Sequence, residues 1–580
     1  MSAFSVTAAR CLLVGLLGLV VSQRPTAVTA AANVPNDERA VVHALNRLAF
    51  GPRPGDGDRV RKLGLATWID QQLRPDQIND TAMDSRLARL TTLSRESEEL
   101  AQDFIAARQE RRRRQRATGR EGAAEGTTTP GQATQRPGDT MEPKGEPMVE
   151  PMGTSGQRPA LMSEAAQRER RAFAEMAEAK ILRAVYSDRQ LEEVLVDFWF
   201  NHFNVFARKG QTEIYVGEYE REAIRPHVLG SFRELLGATA KSPAMLVYLD
   251  NWMSADPNAA SRLANSRRPN AGANRRGQAR LGGQRPGAQQ SPDPNAPNRM
   301  PRGLNENYAR ELLELHTLGV DGGYTQQDVV EVARAFTGWT IGRPADPGFR
   351  FVEAMHDRGA KKVLGHNLAA GSGIEDGEKV LDIIASHQAT ARHISFKLAQ
   401  RFVSDAPPDD LVDRAAETFT RTRGNLREVV RTIVTSPEFF APAAYRAKVK
   451  TPFEFVVSAL RATDADVRQA TATVRTLAGL GMPLYLCQPP TGYDETADSW
   501  VSSGALVNRM NFALAIAGGQ MRGISVSDLS NDGVDSVRQR IVRSALAGDV
   551  STSTLETIAK AATAEQAVAL VIGSPEFQRQ

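Results

Sequence analysis

The sequence predicts a mainly α-helical globular body that carries a small β-hairpin and two disordered inserts. Helix-start signals are the first observation. Ser187–Gln190 and Thr325–Asp328 each place a hydroxyl residue three positions before a side chain that can complete a capping box. A recurring helical unit and two segments nearly free of apolar side chains are the other observations. The composition, with 41% hydrophobic and 24% charged residues, is that of an ordinary globular protein.

A helical unit recurs along the chain as Ser231–Pro243, Asn425–Pro437 and Thr563–Pro575. Each copy begins with an N-cap type of residue that lies eleven positions before the serine of a Ser-Pro pair. Proline disrupts the interior of a helix, but it is favoured at the first position of a new helix. The unit therefore predicts a helix of about three turns followed by a corner. The spacing between copies is too irregular for a solenoid.

Two segments, 111–159 and 255–302, lack the apolar residues that would offset the entropy of ordering them. We expect both to be disordered inserts. The second is rich in arginine, although the formal charge of the whole chain is only +4. In an exported protein such a segment favours a solvated loop, or loose attraction to anionic envelope polymers. We therefore expect no nucleic-acid partner.

One segment, Phe349–Gly365, carries a clear sheet signal. Phe349 and Phe351 alternate with polar residues, and Asp357–Gly359 is typical of a turn. The pattern predicts a small hairpin with His356 and Asp357 at its bend.

The first 32 residues have the pattern of a signal peptide. A polar start ends at Arg10, Cys11–Val21 is apolar, and Ala27–Ala32 offers small residues for cleavage before Asn33. Eleven apolar residues are too few to cross a bilayer. We expect an exported protein, periplasmic or extracellular, without a transmembrane span. Cleavage would leave Cys487 as the one cysteine, which excludes an intramolecular disulfide and a cysteine-based zinc site.

These signals divide the chain into seven parts. They are the signal peptide (1–32), an N-terminal helical part (33–110), the first insert (111–159), a helical body with the FWFNHF motif (160–254), the basic insert (255–302), a helical body with the NENYARELLELHTLG motif and the hairpin (303–440), and a C-terminal helical part (441–580).

The stretch Asn305–Gly319 predicts a helix that ends at its glycine. On a helical wheel, Glu311 lies among leucines, and His316 lies beside Leu312. A buried carboxylate needs a partner or a raised pKa. Glu311 and His316 are therefore candidates for acid–base chemistry or metal binding, and the alternative is a structural ion pair with an arginine such as Arg334.

Two further motifs supply candidates. Asn201 and His202 lie among aromatic residues, where they either line a pocket or bind backbone groups at a helix end. His356, Asp357 and Lys361 lie near a predicted turn, where they form either an anion or acid–base site or a local turn structure. We take Glu311, His316, His356 and Asp357 as catalytic candidates and Asn201, His202 and Lys361 as binding candidates. The sequence identifies neither a metal nor another cofactor, and it contains no HExxH pair, P-loop or dinucleotide fingerprint.

Several motifs in order resemble the bacterial family known as domain of unknown function 1800. They include LNRLAFGPRPGD, FWFNHF, YEREAIRPHVLGSFRELL, NENYARELLELHTLG, HDRGAKKVLG and LGMPLYLCQPPTGY. The resemblance implies a mainly helical, exported protein and an exported sulfatase-like partner, and it brings no established activity. Ser242 stands where the family often has histidine, and Pro489–Glu495 departs from its later motif.

Two functions are compatible with these observations. The first is a binding or assembly factor that acts with an exported partner at the cell envelope. The second is a hydrolase of extracellular or envelope polymer that uses a Glu/His/Asp pocket, with or without a metal. The sequence favours the first, because no catalytic signature in it is complete.

Overall fold

The computed structural model describes residues 34–124, 163–259, 303–343, 346–526 and 533–580. The predicted signal peptide and most of both predicted inserts lie outside these residues. Within them the chain forms 22 α-helices and three two-stranded antiparallel sheets. This confirms the mainly α-helical class.

Ten helices precede the basic insert, and a π-helical turn, Tyr219–Ile224 (the π-turn), follows the eighth. The helices are α1 (Glu38–Arg47), α2 (Asp56–Leu63), α3 (Leu65–Gln72), α4 (Thr81–Leu87), α5 (Ser97–Ala124), α6 (Glu164–Tyr186), α7 (Gln190–His202), α8 (Thr212–Glu218), α9 (Phe232–Lys241) and α10 (Pro243–Tyr248).

Twelve helices follow the insert. They are α11 (Glu306–Glu314), α12 (Gln326–Ala335), α13 (Glu375–Ala385), α14 (Gln388–Phe402), α15 (Asp409–Arg421), α16 (Leu426–Val434), α17 (Pro452–Ala462), α18 (Thr471–Gly479), α19 (Ser503–Ala517), α20 (Val534–Leu546), α21 (Thr552–Ala559) and α22 (Ala564–Gly573). None of the described helices combines the length and the apolar character that a membrane span needs.

The predicted first residue of each insert is wrong. The first insert does not begin at 111, because α5 continues to Ala124. Arg111 there donates two hydrogen bonds to Glu169 on α6, at 2.9 and 3.0 Å, which holds the two helices together. The second insert does not begin at 255, because Ala255 and Ala259 are buried.

The predicted hairpin across Phe349–Gly365 is also wrong. The strands are β1 (Trp339–Ile341), β2 (Phe349–Phe351), β3 (Lys361–Val363), β4 (His366–Leu368), β5 (Asp466–Val467) and β6 (Ile524–Ser525). β2 pairs with β1 and β3 pairs with β4, so two hairpins replace the single predicted one. The Phe349 ring packs at 5.2 Å from the Trp339 ring, and this upstream contact fixes the pairing of β2. His356 and Asp357 lie between the hairpins.

The three copies of the helical unit form α9, α16 and α22, as predicted. Two of them also meet, because the N-cap residues Ser231 and Asn425 form an antiparallel bridge. The Phe232 N–H donates to the Gly424 carbonyl at 2.8 Å, and the Leu426 N–H donates to the Gly230 carbonyl at 2.9 Å. The repeated unit therefore joins distant parts of one helical core.

One of the two predicted capping boxes is present. At α12, the Thr325 and Asp328 side chains each accept the backbone N–H of the other residue. Ser187 forms no such box: its hydroxyl donates to Asp80 at 2.6 Å, and α7 begins at Gln190 without a side-chain cap.

Candidate functional site

The segment after α11 departs from the predicted helix. α11 ends at Glu314, so the expected continuation to Gly319 is wrong. The Thr317 hydroxyl donates to the Leu312 carbonyl at 2.6 Å and thereby occupies a backbone acceptor at the end of the helix. His316 lies in the turn that follows. Gly319 has a φ of +87°, and a Cβ there would lie 2.9 Å from His393 Nδ1, so the turn requires glycine.

Glu311 is half-buried on α11. Its carboxylate forms no hydrogen bond or ion pair with any residue that the structure describes. Burial raises its pKa, Glu314 raises it further, and Arg310 opposes them. Glu311 is therefore not held by the partners expected for it, neither by the histidines nor by Arg334.

His202 and His316 come together, and His393 from α14 joins them. The ring centroids of His202 and His316 are 6.4 Å apart, and those of His202 and His393 are 6.3 Å apart. The His202 Nε2–H donates to the His316 carbonyl at 3.2 Å. Phe203 packs against His316 with ring centroids 5.1 Å apart. The cluster encloses the turn that follows α11.

Burial keeps these three imidazoles neutral. It lowers the pKa of His202 well below 6.5, with the other two histidines adding to the effect. It lowers the pKa of His316 to about 3, and the pKa of His393 to about 4 with a further contribution from Lys397. Neutral imidazoles can bind metals. Yet no group of three or more His, Cys, Asp or Glu in the described ranges is arranged to hold a metal ion.

His356 and Lys361 belong to a different cluster, which is built on Asp376 of α13. The His356 Nε2 lies 3.2 Å and the Lys361 Nζ 2.7 Å from the same Asp376 oxygen. The His356 Nδ1–H donates to the Thr337 carbonyl at 2.8 Å. The three ionisable side chains are 3% exposed or less. This cluster holds the segment between the hairpins against α13.

Asp357 belongs to neither of these clusters and pairs with Arg334. Arg334 on α12 donates to both of its carboxylate oxygens, and the Gly359 N–H donates to one of them at 2.8 Å. Burial raises the pKa of Asp357, but the hydrogen bonds from Arg334 and Gly359 lower it more, so the net shift is downward. Asp357 therefore remains ionised and paired.

Asn201 binds backbone groups, which is one of the two roles predicted for it. Its amide donates to the Tyr493 carbonyl at 2.8 Å and accepts from the Tyr493 N–H at 2.7 Å. Asn204 donates to the carbonyls of Cys487 and Pro489 at 3.0 and 2.7 Å. Asn201 of the FWFNHF motif and Asn204 just after it thus bind the later CQPPTGY stretch at the end of α7.

A small pocket lies beside Asn201, with Lys180, Asp197 and Tyr485 in its lining. Lys180 lies 2.8 Å from Asp197 and 3.7 Å from Glu220, and the Tyr485 hydroxyl donates to Glu220 at 2.9 Å. Burial lowers the pKa of Lys180, but Asp197 and Glu220 raise it more. Burial, and then Glu220, raises the pKa of Tyr485 well above 10. Both groups therefore stay protonated near neutral pH and are poorly matched to proton transfer there.

Sequence reasoning missed His393, Asp376 and Lys180. His393 lies on an ordinary helix, far along the chain from His202 and His316. Asp376 follows His356 by 20 positions and Lys361 by 15, but it lies on the next helix, so no local spacing marks it. Lys180 offered a signal, because it is the one charged residue in the apolar stretch Ala179–Leu182.

No curated protein and no solved structure matches this chain. A family model does: the one described as a protein of unknown function (DUF1800) matches residues 43–579. The match begins within α1 and ends beyond α22, so it includes every candidate residue above. The chain belongs to the DUF1800 family.

Proposed function

We propose that the chain is an exported binding or assembly factor that acts with an exported protein partner at the cell envelope. The observation that carries this proposal is that most of the candidate polar side chains bind other groups of the same protein. His356 and Lys361 share Asp376, Asp357 binds Arg334, and Asn201 binds the backbone of Tyr493. A general acid or base must reach a proton of the substrate. Side chains held in this way are better suited to joining helices.

An exposed face of α19 supports a protein partner. Leu506, Val507 and Leu514 are 44%, 59% and 52% exposed, and Val501 just before the helix is 51% exposed. Arg509 is the one charged residue from 501 to 520, and it is 1% exposed. An exposed aliphatic face without charge is typical of a protein interface. An anionic membrane surface would instead favour lysine and arginine around such a face.

Export and the identity of the partner are parts of the same proposal. The segment Cys11–Val21 followed by Ala27–Ala32 supports cleavage near Asn33. Family resemblance supports an exported sulfatase-like protein as the partner. N-terminal sequencing of the processed chain checks export, and an intact Met1 in a cytoplasmic fraction would contradict it.

Co-purification tests the docking face. A tagged chain is co-expressed with an exported sulfatase-like protein of the same cell, and the retained partner is quantified. The double variant Val507→Glu/Leu514→Glu is expected to lose the partner. Leu555→Glu is the matched control, because Leu555 is a 43% exposed leucine on α21. Equal retention by the double variant and the control would overturn the proposal.

The alternative function is hydrolysis of an extracellular or envelope polymer. Glu311 favours it, as the candidate carboxyl that is half-buried, has a raised pKa and lacks a partner among the described residues. Incubation of the purified chain with peptidoglycan and with envelope polysaccharide tests it. Release of soluble fragments that stops with Glu311→Gln would establish the hydrolase and contradict the binding factor.

A further inference from the structure

Three exposed arginines lie in a row along α5. They are Arg108, Arg112 and Arg116, which follow one another at intervals of four residues. On an α-helix this spacing places them about 6 Å apart along the axis and within about 80° of one another around it. The three side chains therefore share one face of α5, and we call them the arginine stripe.

No acidic side chain among the described residues balances the arginine stripe. None of its three members forms an ion pair or a hydrogen bond with a residue that the structure describes. Acidic residues of α5 and α6 pair with other arginines instead. These pairs are Glu110 with Arg114, Glu169 with Arg111, and Asp103 with both Arg95 and Arg168. The positive charge of the arginine stripe therefore faces solvent without a partner in the described part of the chain.

The arginine stripe opposes the stability of its own helix. Arg108 and Arg112 are like charges four positions apart, and so are Arg112 and Arg116, a spacing at which like charges destabilise a helix. At the same spacing, Glu110 and Arg114 form an ion pair. A bound polyanion would relieve the repulsion along the arginine stripe. Binding thus accounts for three charges that folding does not need.

The surface around the arginine stripe is polar. The stretch Arg108–Arg116 reads RQERRRRQR, and no large hydrophobic side chain is exposed on the described parts of α5 and α6. The apolar side of α5, with Phe104 and Ala107, is buried. A helix that binds a membrane surface inserts an apolar face beside its basic residues. The arginine stripe therefore favours a hydrated polymer over a lipid bilayer.

The same stretch offers no aromatic side chain to nucleic-acid bases. It contains no Phe, Tyr or Trp, whereas proteins that hold single-stranded nucleic acid stack the bases on such side chains. Arginine holds carboxylates, and tetrahedral oxyanions such as phosphate, with paired hydrogen bonds. A linear polymer with anionic groups along its length therefore matches a row of three guanidinium groups.

We propose that the arginine stripe of α5 binds a linear anionic polysaccharide of the cell envelope. Successive anionic groups of the polymer pair with Arg108, Arg112 and Arg116, and the sugar backbone stays hydrated. The choice of an envelope polysaccharide over nucleic acid rests in part on the proposed export. The arginine stripe includes no residue of α19, so polymer binding and the docking of a protein partner are separate properties of the chain.

Binding of the mature chain to immobilised polymers tests this surface. The polymers are dextran sulfate, neutral dextran and a double-stranded DNA oligonucleotide. We expect dextran sulfate to bind more tightly than DNA, and neutral dextran not to bind. We also expect the affinity for dextran sulfate to fall at least about tenfold when the salt concentration rises from about 50 to about 200 mM.

A triple variant removes the arginine stripe. Arg108→Gln/Arg112→Gln/Arg116→Gln is expected to bind dextran sulfate at least about tenfold more weakly than the wild type. Its melting temperature, followed by circular dichroism, should stay the same or rise, because like-charge pairs are removed and glutamine is a good helix former. If this variant does not fold, the polymer preference and the salt dependence of the wild type decide.

A second triple variant controls for net charge. Arg421→Gln/Arg475→Gln/Arg522→Gln removes the same three charges from exposed arginines on α15, on α18 and after α19. These arginines also lack a pair among the described residues. The control should bind dextran sulfate within about threefold of the wild type.

Three results would overturn the proposal. They are equal losses of affinity in the two triple variants, no binding of dextran sulfate by the wild type at about 50 mM salt, and tighter binding of DNA than of dextran sulfate. The last result would identify a nucleic-acid surface instead. None of them bears on docking through α19, because that test measures a purified protein partner.

Discussion

Arg334 and Asp357 form an ion pair with two hydrogen bonds, from Nε to Oδ2 at 2.9 Å and from Nη2 to Oδ1 at 3.0 Å. The pair joins α12 to the segment that connects β2 and β3. Glu331 also binds Arg334, at a distance of 2.6 Å. The aspartate of the HD motif therefore fixes a connecting segment to a helix.

Removal of this aspartate should destabilise the protein. Asp357→Ala leaves Arg334 with one acidic partner and removes the acceptor for the Gly359 N–H. We expect the free energy of unfolding in urea to fall by about 1–3 kcal/mol. Asp535→Ala, which breaks a pair whose aspartate is 82% exposed, is the control and should cost less than about 1 kcal/mol. Equal losses in both variants would show that the Asp357 pair is not structural.

Neutralisation of Glu311 should not destabilise the protein. Its carboxylate is half-buried without a partner among the described residues, and Glu314 repels it. We therefore expect Glu311→Gln to keep the free energy of unfolding within about 1 kcal/mol of the wild type or to raise it. A loss of more than about 2 kcal/mol would reveal a charged hydrogen bond that the structure lacks.

Acid should destabilise the fold through its buried histidines. Burial lowers the pKa of His316 from 6.5 to about 3, so the folded state takes up fewer protons than the unfolded state between these values. The free energy of unfolding must then fall as the pH drops below 6.5. His43 and His393, with pKa values of about 3 and 4, act in the same direction.

A difference measurement isolates the contribution of His316. Between pH 7 and pH 5 we expect the wild type to lose about 1–2 kcal/mol more than His316→Gln does. The two proteins share the carboxyls with raised pKa, such as Glu213, which act in the opposite direction. Parallel pH profiles for the two proteins would contradict a neutral, buried His316.

Cys487 should be unreactive in the folded protein. Burial raises the pKa of its thiol to about 11, and Asp494 contributes to the shift. The reactive form is the thiolate. We expect modification by a disulfide reagent at pH 8 to be slow, and to become fast in denaturant. Rapid modification of the native chain would refute this.

Signals that act within a few residues were predictable from the sequence. The N-caps at Thr325, Asn425 and Thr563 formed as expected, because a cap depends on the next three residues. Ser231 precedes its helix as expected, but its side chain makes no capping hydrogen bond. The cap at Ser187 did not form, because α7 begins only at Gln190; the Ser187 hydroxyl instead donates to Asp80, which is distant in sequence, and accepts from the Arg189 N–H.

Partners that come from distant helices were not predictable from one sequence. The wheel placed Glu311 in a partly buried position, as observed, but it could not supply the partner of a buried charge. The helix end at Glu314 depends on Thr317, whose hydroxyl competes for a helix carbonyl. The grouping of His356 with Asp376 depends on the packing of α13, which no local pattern encodes.

The affinity of the purified chain for a purified, exported sulfatase-like protein tests the central claim most directly. The measurement compares the wild type, Val507→Glu/Leu514→Glu and Glu311→Gln, each verified as folded by thermal melting. A binding factor that docks through α19 predicts at least about a tenfold loss for the double variant and an unchanged affinity for Glu311→Gln. An unchanged affinity for the double variant, together with a loss for Glu311→Gln, would contradict it.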